Sequence, residues 1–160
     1  MEKRSRKLDA EEITALNMKI ESKTGTSPYS DMTIYNFITD FNNFKNLIPA
    51  NQVTGWNSTR ESCSFSLDPV GKTGFKIVEK EPFKLVRIAS IPESKYDFNI
   101  WFQLVKSDTN QTRIRITIEP LINQMFLPFV KSPLKQFIDR LIDSMEKFDF
   151  SSGSTESPGN

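Results

Sequence analysis

Ser132-Pro133-Leu134-Lys135-Gln136-Phe137-Ile138-Asp139-Arg140-Leu141-Ile142-Asp143-Ser144-Met145-Glu146-Lys147-Phe148 is the stretch on which the fold turns. Leu134, Phe137, Ile138, Leu141, Ile142, Met145 and Phe148 recur at the three- and four-residue intervals that line up on one side of a helix. Lys135, Gln136, Asp139, Arg140, Asp143 and Lys147 fill the other side. Ser132 is expected to cap the first turn, with Pro133 where a missing N–H costs nothing. Burying this stripe contributes roughly 10–20 kcal/mol gross, before ordering entropy is subtracted. A helix so apolar on one side needs a large concave partner. The middle of the chain supplies one.

Working back from that helix, strand patterns dominate. Tyr96, Phe98, Ile100, Phe102 and Leu104 alternate with Asp97, Asn99, Trp101 and Gln103; Ile114, Ile116 and Ile118 alternate with Arg113, Arg115 and Thr117. Such alternation predicts an antiparallel pair with one face on the core and one in water. Gln52 to Thr59 and Ser62 to Asp68 read as a hairpin turning at Arg60-Glu61, with Trp56 and Ser58 on the face of Cys63, Phe65 and Leu67. Thr73 to Glu81 and Lys84 to Ile91 flank a two-residue turn at Pro82-Phe83. That turn places Phe75, Ile77 and Glu79 beside Val86 and Ile88 on one face, and Arg87 outward with Lys76, Val78 and Lys80. Upstream, Ile13 to Lys23 reads as the first strand, ended by Gly25 to Pro28. Ser30 to Phe41 reads as a helix capped by Ser30, followed by a shorter one over Phe44, Leu47 and Ile48. Between sheet and last helix, Leu121 to Val130 is a separate helical segment, with Pro128 and Pro133 predicted to break or kink the chain.

The composition narrows the chemistry. At 160 residues, one domain with a substantial core is expected. Twenty-one basic and twenty acidic residues leave a net charge of +1, which gives the folded body no electrostatic reason to bind nucleic acid. The single cysteine, Cys63, excludes an internal disulfide and is expected to be an inert buried thiol in a reducing, cytoplasmic setting. Histidine is absent, which removes Ser-His-Asp and Cys-His nucleophile systems and the usual imidazole ligands. No cofactor, no metal and no catalytic motif is expected. No apolar run approaches the roughly 18 residues of a spanning helix, and no apolar segment follows the basic start as in a secretory signal. Residues 1–12 read as a solvated arm whose Lys3, Arg4, Arg6 and Lys7 leave contact with an anionic surface or RNA open; Met18 leaves an internal start open. Residues 13–148 are the expected domain, and 149–160 a flexible tail.

Lys19-Ile20-Glu21-Ser22-Lys23, Ile34 to Phe44, Cys63-Ser64-Phe65, Gly74 to Phe83 and Pro133-Leu134-Lys135-Gln136-Phe137, in the order βααββββββα, resemble the START / polyketide-cyclase-like (SRPBCC) superfamily, in a small bacterial branch. The likeness covers about residues 14–148. It implies an α+β helix-grip fold: a seven-stranded curved antiparallel sheet wrapped around a long C-terminal helix, with two short helices after the first strand. It does not imply one activity, since the superfamily includes lipid carriers, hormone receptors, cyclases, oxygenase subunits and co-chaperone-like proteins.

In such a fold the inward residues line a cavity between sheet and helix, or fill that space as an ordinary core. The inward set here is Trp56, Phe65, Phe75, Ile77, Val86, Ile88, Phe98, Ile100, Phe102 and Ile116, closed by Met125, Phe129, Phe137, Leu141 and Met145. Glu79 either sits inside as a protonated carboxyl or reaches water; Tyr96 is either a handle at the mouth or a rim aromatic. Asp68–Lys72, Pro92–Lys95 and the Pro128–Pro133 kink form the expected gate. The leading functional expectation is a carrier or sensor of a small hydrophobic molecule (lipid, polyketide or aromatic), as a monomer or weak dimer. The alternatives are a cyclase or dehydratase using Glu79 or Tyr96, and a protein-interaction module using Trp101 and the outer sheet.

Overall fold

Strict alternation in two neighbouring strands builds the centre of the structure. In the computed structural model, which describes residues 19–48, 51, 53–107 and 109–151, β7 (Phe98–Lys106) pairs antiparallel with β8 (Thr112–Pro120). Ile100 lies opposite Ile118, Phe102 opposite Ile116, and Leu104 opposite Ile114, and all six are buried. Arg113 and Arg115 on the other face are exposed. On one side follow β6 (Leu85–Ser90), β5 (Gly71–Glu81), β4 (Ser62–Leu67) and, at the edge, β3 (Val53–Ser58). On the other side β8 carries β1 (Ile20–Glu21) and β2 (Gly25–Ser27). The result is a curved antiparallel sheet of eight strands, or seven if the two short first segments count as one.

That split corrects the single strand expected to end at Gly25. Ser22 causes it: its N–H donates to Ile116 O at 2.8 Å, while its Oγ accepts from Ile116 N–H at 2.9 Å and donates to Lys23 O at 2.8 Å. A side chain thus stands in for a ladder carbonyl before pairing resumes. Gly25 belongs to the resumed strand because the last helix passes so close. A Cβ there would lie 2.5 Å from Ile142 Cγ2. The expected strand residues 13–18 and the basic arm lie outside the described residues.

Helix α1 (Asp31–Ile38) starts at Ser30, whose side chain accepts from Thr33 N–H, and buries Ile34, Tyr35, Phe37 and Ile38. A 3-10 turn over Phe41–Asn46 follows and buries Phe41 and Phe44. Another, Gln124–Phe126, leads directly into α2 (Leu127–Lys147). The expected break at Pro133 is absent, and Ser132 is not a cap. Pro128 falls in the first turn, where its lack of an N–H removes nothing. Pro133 lies inside the helix and forgoes one backbone bond, while buried Leu127 and Val130 hold the turn before it. The consequence is rotation: Met125 and Phe129, both expected inside, are each 70% exposed.

The end of the chain also differs from expectation. Phe150, placed in the tail by sequence, is fully buried. Its ring meets Phe37 and Phe148, each at 5.0 Å, and Tyr29 at 5.7 Å, fastening the end of α2 to α1.

Carboxylates on α2 hold the helix over the short strands. Asp139 Oδ1 accepts Lys23 N–H and Glu146 Oε2 accepts Thr26 N–H, both at 2.8 Å, and Lys23 Nζ pairs with Asp143. Burial pushes the Asp139 carboxyl up, but hydrogen bonds from Lys135 and from Lys23 N–H outweigh it and hold the group below its usual 3.8. A carboxyl depressed in the folded state stabilises above its unfolded pKa, and that contribution disappears as pH falls through the folded value. Asp139→Ala is therefore expected to lose about 1 kcal/mol at pH 7, allowing for partial solvent screening. In urea titrations the two proteins should converge as the pH drops below the ordinary Asp range; a gap that persists unchanged in acid means the carboxylate is not the holding group.

Candidate functional site

Between α2 and the concave face of the sheet lies an apolar cavity. Its volume is about 40 Å³, more than the roughly 10–15 Å³ that one water needs and well short of an engineered cavity of about 150 Å³ that takes benzene. Its wall includes ten of the residues singled out by sequence: Trp56, Phe65, Phe75, Ile88, Phe98, Ile100, Phe102, Ile116, Phe137 and Leu141. Ten more complete it: Phe41, Phe44, Ile48, Cys63, Leu67, Val70, Thr73, Ile118, Leu134 and Ile138. Most of these carried a signal. Cys63 and Leu67 share the parity of Phe65, Ile118 that of Ile116, and Leu134 and Ile138 lie on the helix stripe. Thr73 shares the parity of Phe75, and Val70 carried no signal, because it lies in the turn into β5.

The other seven candidates lie elsewhere. Val86 and Met145 are buried in the core but do not line the cavity, and Ile77 is partly buried against that core. Tyr96 is half-buried, with its ring near Phe98 and Phe126 and Lys95 Nζ 5.6 Å from its centroid. Met125 and Phe129 face solvent. Glu79 is on the outer face, against the parity read from sequence. The reason is a β-bulge: Ile77 pairs with Ile88, but Glu79 pairs with Arg87, leaving Val78 as the extra residue. The connection is also three residues long, with Phe83 at φ 69° and Lys84 N–H donating to Glu81 O. Arg87 Nε donates to Glu79 Oε1 at 3.0 Å, and its Nη1 to Asn99 Oδ1 at 3.1 Å. Lys80, not Glu79, comes to lie opposite Val86 at the exposed rim.

A second bulge, in β3 between Thr54 and Asn57, shifts the register of Val53 and Thr54 against β4, while Trp56 stays in phase with Ser58, opposite Cys63. Gly55 sits at φ 69°, a conformation that suits glycine in such a bulge. The indole stacks on Phe65 at 5.4 Å, and Phe65 stacks on Phe137 of α2 at 6.5 Å. One aromatic column thus runs from the edge strand to the helix. Among the described residues, Trp56 Nε1 is the buried side-chain polar atom that has no hydrogen-bond partner.

The rest of the wall is electrically quiet. It contains no Asp, Glu, Lys or Arg. Thr73 Oγ1 donates its proton to Gly71 O at 3.0 Å. Burial pushes the Cys63 thiol up to about 12, so it stays neutral at ordinary pH. The Pro92–Lys95 loop, expected as part of a gate, is stitched to β5: Gly74 N–H donates to Ser94 Oγ, Ser94 Oγ donates to Gly74 O, and Lys95 N–H donates to Lys72 O. Trp56 and Ile48 are the wall residues that are only half-buried. Among the described residues, no cluster of His, Cys, Asp and Glu is arranged to hold a metal ion, and no helix is long and apolar enough to cross a membrane.

A long helix laid across a curved antiparallel sheet is an arrangement found in solved structures. A START superfamily protein from Mycobacterium smegmatis matches with a TM-score of 0.61 at 12% identity, over 80% of this chain and 94% of that one. This is a START-like fold. A protein from Thermus thermophilus matches at 0.62 and 15%, over 81% and 95% of the two chains. An Aha1 dimer from Colwellia psychrerythraea matches at 0.53 and 24%, over 81% and 97%. At these identities the likeness concerns architecture. No family model matches the START-like chain, and no curated protein matches its sequence.

The thiol provides a check on the wall. Cys63 is expected to react with an aromatic disulfide reagent at pH 8 at least tenfold more slowly than in urea-unfolded protein, because it is buried and protonated. Equal rates in the two states would mean that the wall at Cys63 is open.

Proposed function

We propose that this protein binds a small apolar molecule in the cavity between α2 and the sheet. The observation that carries the reading is the cavity itself: an aromatic and aliphatic wall, drawn from six strands, a 3-10 turn and the helix, that stops short of filling its interior. Native cores pack densely, so a void lined by so many large side chains invites an occupant. The START-like fold supports the same reading, since that fold is commonly associated with hydrophobic ligands. Binding would draw on apolar surface leaving water, at about 25 cal/mol per Å² before ordering costs. At about 40 Å³ the void favours the most compact guests, and a ring as well as an acyl chain would need the wall to spread. The cyclase or dehydratase alternative loses one of its two proton-transfer groups, because Glu79 faces outward and pairs with Arg87.

Toluene tests whether the wall spreads. A tenfold excess over its Kd is expected to stabilise the folded protein by about 1.4 kcal/mol, or roughly 3–6 °C in Tm for a domain of this size. Cys63→Leu, which fills part of the void, should abolish that shift. If toluene, cyclohexane and naphthalene all leave Tm unchanged in the parent protein, the interior does not admit guests and the reading fails.

A further inference from the structure

We infer that the outer face of the sheet carries an anion site: a groove over β7 and β8 that takes the phosphoryl group of phosphate or of a small phosphate monoester. The groove measures about 210 Å³ and is lined by Thr24, Gln103, Val105, Arg113, Ile114 and Arg115. Arg113 and Arg115 alternate with the buried isoleucines of β8, so the groove opens on the side of the sheet away from the apolar cavity. It stands or falls separately from the reading above. Pockets that enclose a drug-sized ligand run to roughly 300–1,000 Å³, so this one suits a head group.

The lining supplies cations and hydrogen-bond donors and no carboxylate. Arg113 and Arg115 rise from one face of β8, two residues and so roughly 6–7 Å apart along the strand. Two cations based this close repel, and an anion held between them turns that repulsion into attraction. Arg87, on the same face of the sheet, has its counter-charge from the chain itself, donating to Glu79 Oε1 at 3.0 Å. The groove has no such arrangement. Among the described residues Arg113 has no hydrogen-bond or ion-pair partner, and Arg115 Nη1 lies 3.8 Å from Glu21 Oε1, beyond hydrogen-bond reach. Gln103, opposite Arg115, accepts the Thr117 hydroxyl on Oε1 at 3.2 Å, which leaves its amide N–H groups as the unused end.

A phosphate monoester brings close to two negative charges at neutral pH and three acceptor oxygens. Two guanidiniums match that charge, and their planar forks match pairs of its oxygens. A carboxylate brings half the charge. A nucleic-acid strand needs a longer basic stripe, whereas the face continues with Glu21, Trp101 and Glu119. The break in the edge strand closes one end of the groove. The chain leaves the β8 ladder after Ser22, pairing resumes at Gly25, and exposed Thr24 lies between. From α2, Asp139 and Glu146 hold this link by Lys23 N–H and Thr26 N–H. A groove wall fixed in this way needs little further ordering when an anion binds. Val105, opposite Arg113 and 60% exposed, offers an organic substituent an apolar surface to rest on.

The test adds inorganic phosphate, phenyl phosphate or benzoate to the full 15N-labelled chain at constant ionic strength, so that general screening does not change. Phenyl phosphate is expected to move the Gln103 side-chain amide and the Arg113 and Arg115 Nε–H signals along one saturating curve. The indole signal of Trp56, in the wall of the cavity, should stay in place. Arg113→Gln and Arg115→Gln change exposed side chains, so both variants should fold as the parent does, and each should weaken Kd about five- to tenfold. A tighter Kd for phenyl phosphate than for phosphate assigns the phosphoryl group to a small organic molecule resting on Val105; a Kd no tighter assigns it to free phosphate. Benzoate binding as tightly as phenyl phosphate overturns the phosphoryl assignment. Shifts that never saturate, or Kd values unchanged in both variants, overturn the site altogether and leave the cavity reading as it was.

Discussion

The aromatic column Trp56–Phe65–Phe137 is the contact on which the rest of the site depends. It joins the edge strand, the second strand of the hairpin and the long helix in one stack, with ring centroids 5.4 and 6.5 Å apart. Flat rings stacked in this way hold two surfaces apart as well as together. Branched aliphatic side chains would let the helix settle deeper into the hollow of the sheet. Beside the column, Phe41, Phe44 and Phe102 crowd the same interior, with Phe44 and Phe102 meeting edge-on at 5.6 Å. Large rigid groups arranged edge-on and face-on leave gaps that smaller, flexible ones would close.

Support for that stack comes from both ends of the helix. At its start, Leu127 and Val130 are buried ahead of Pro133, so α2 holds together through a residue that ordinarily interrupts helices. Along its polar side, Asp139 and Glu146 accept backbone N–H groups from the chain around β1 and β2. Beyond its end, Phe148 and Phe150 lock onto Phe37 of α1. These anchors surround the cavity without entering it. They fix the height of the helix above the sheet independently of how completely the space below is filled.

Much of this was legible in the sequence because two periodicities carry it. Alternation in Phe98–Leu104 and Ile114–Ile118 gave the inner face of the central strands, and the three-four spacing of Leu134–Met145 gave the face of the helix. The misses share one physical origin: a local change of phase. One extra residue at Val78 moves Glu79 to the outer face, and parity counting cannot sense it. Helical continuity through Pro128 and Pro133 turns Met125 and Phe129 outward, where a break would have allowed them in. Gly25, a turn signal by composition, is a close-approach glycine beneath Ile142. Phe150 lies past the end of the helix stripe at the head of a polar run, and its packing on Phe148 and, across the fold, on Phe37 and Tyr29 explains its burial. Trp56, by contrast, keeps the face that its hairpin parity gave it, and the bulge at Gly55 changes only the phase of Val53 and Thr54.

An interior that stays open under a helix is the claim to test most directly. A crystal pressurised with xenon does so, because xenon enters dry apolar cavities and scatters strongly. A xenon atom bounded by Phe65, Ile100 and Phe137 is the expected result. A crystal structure that takes up no xenon there, with those side chains packed against one another, would contradict it.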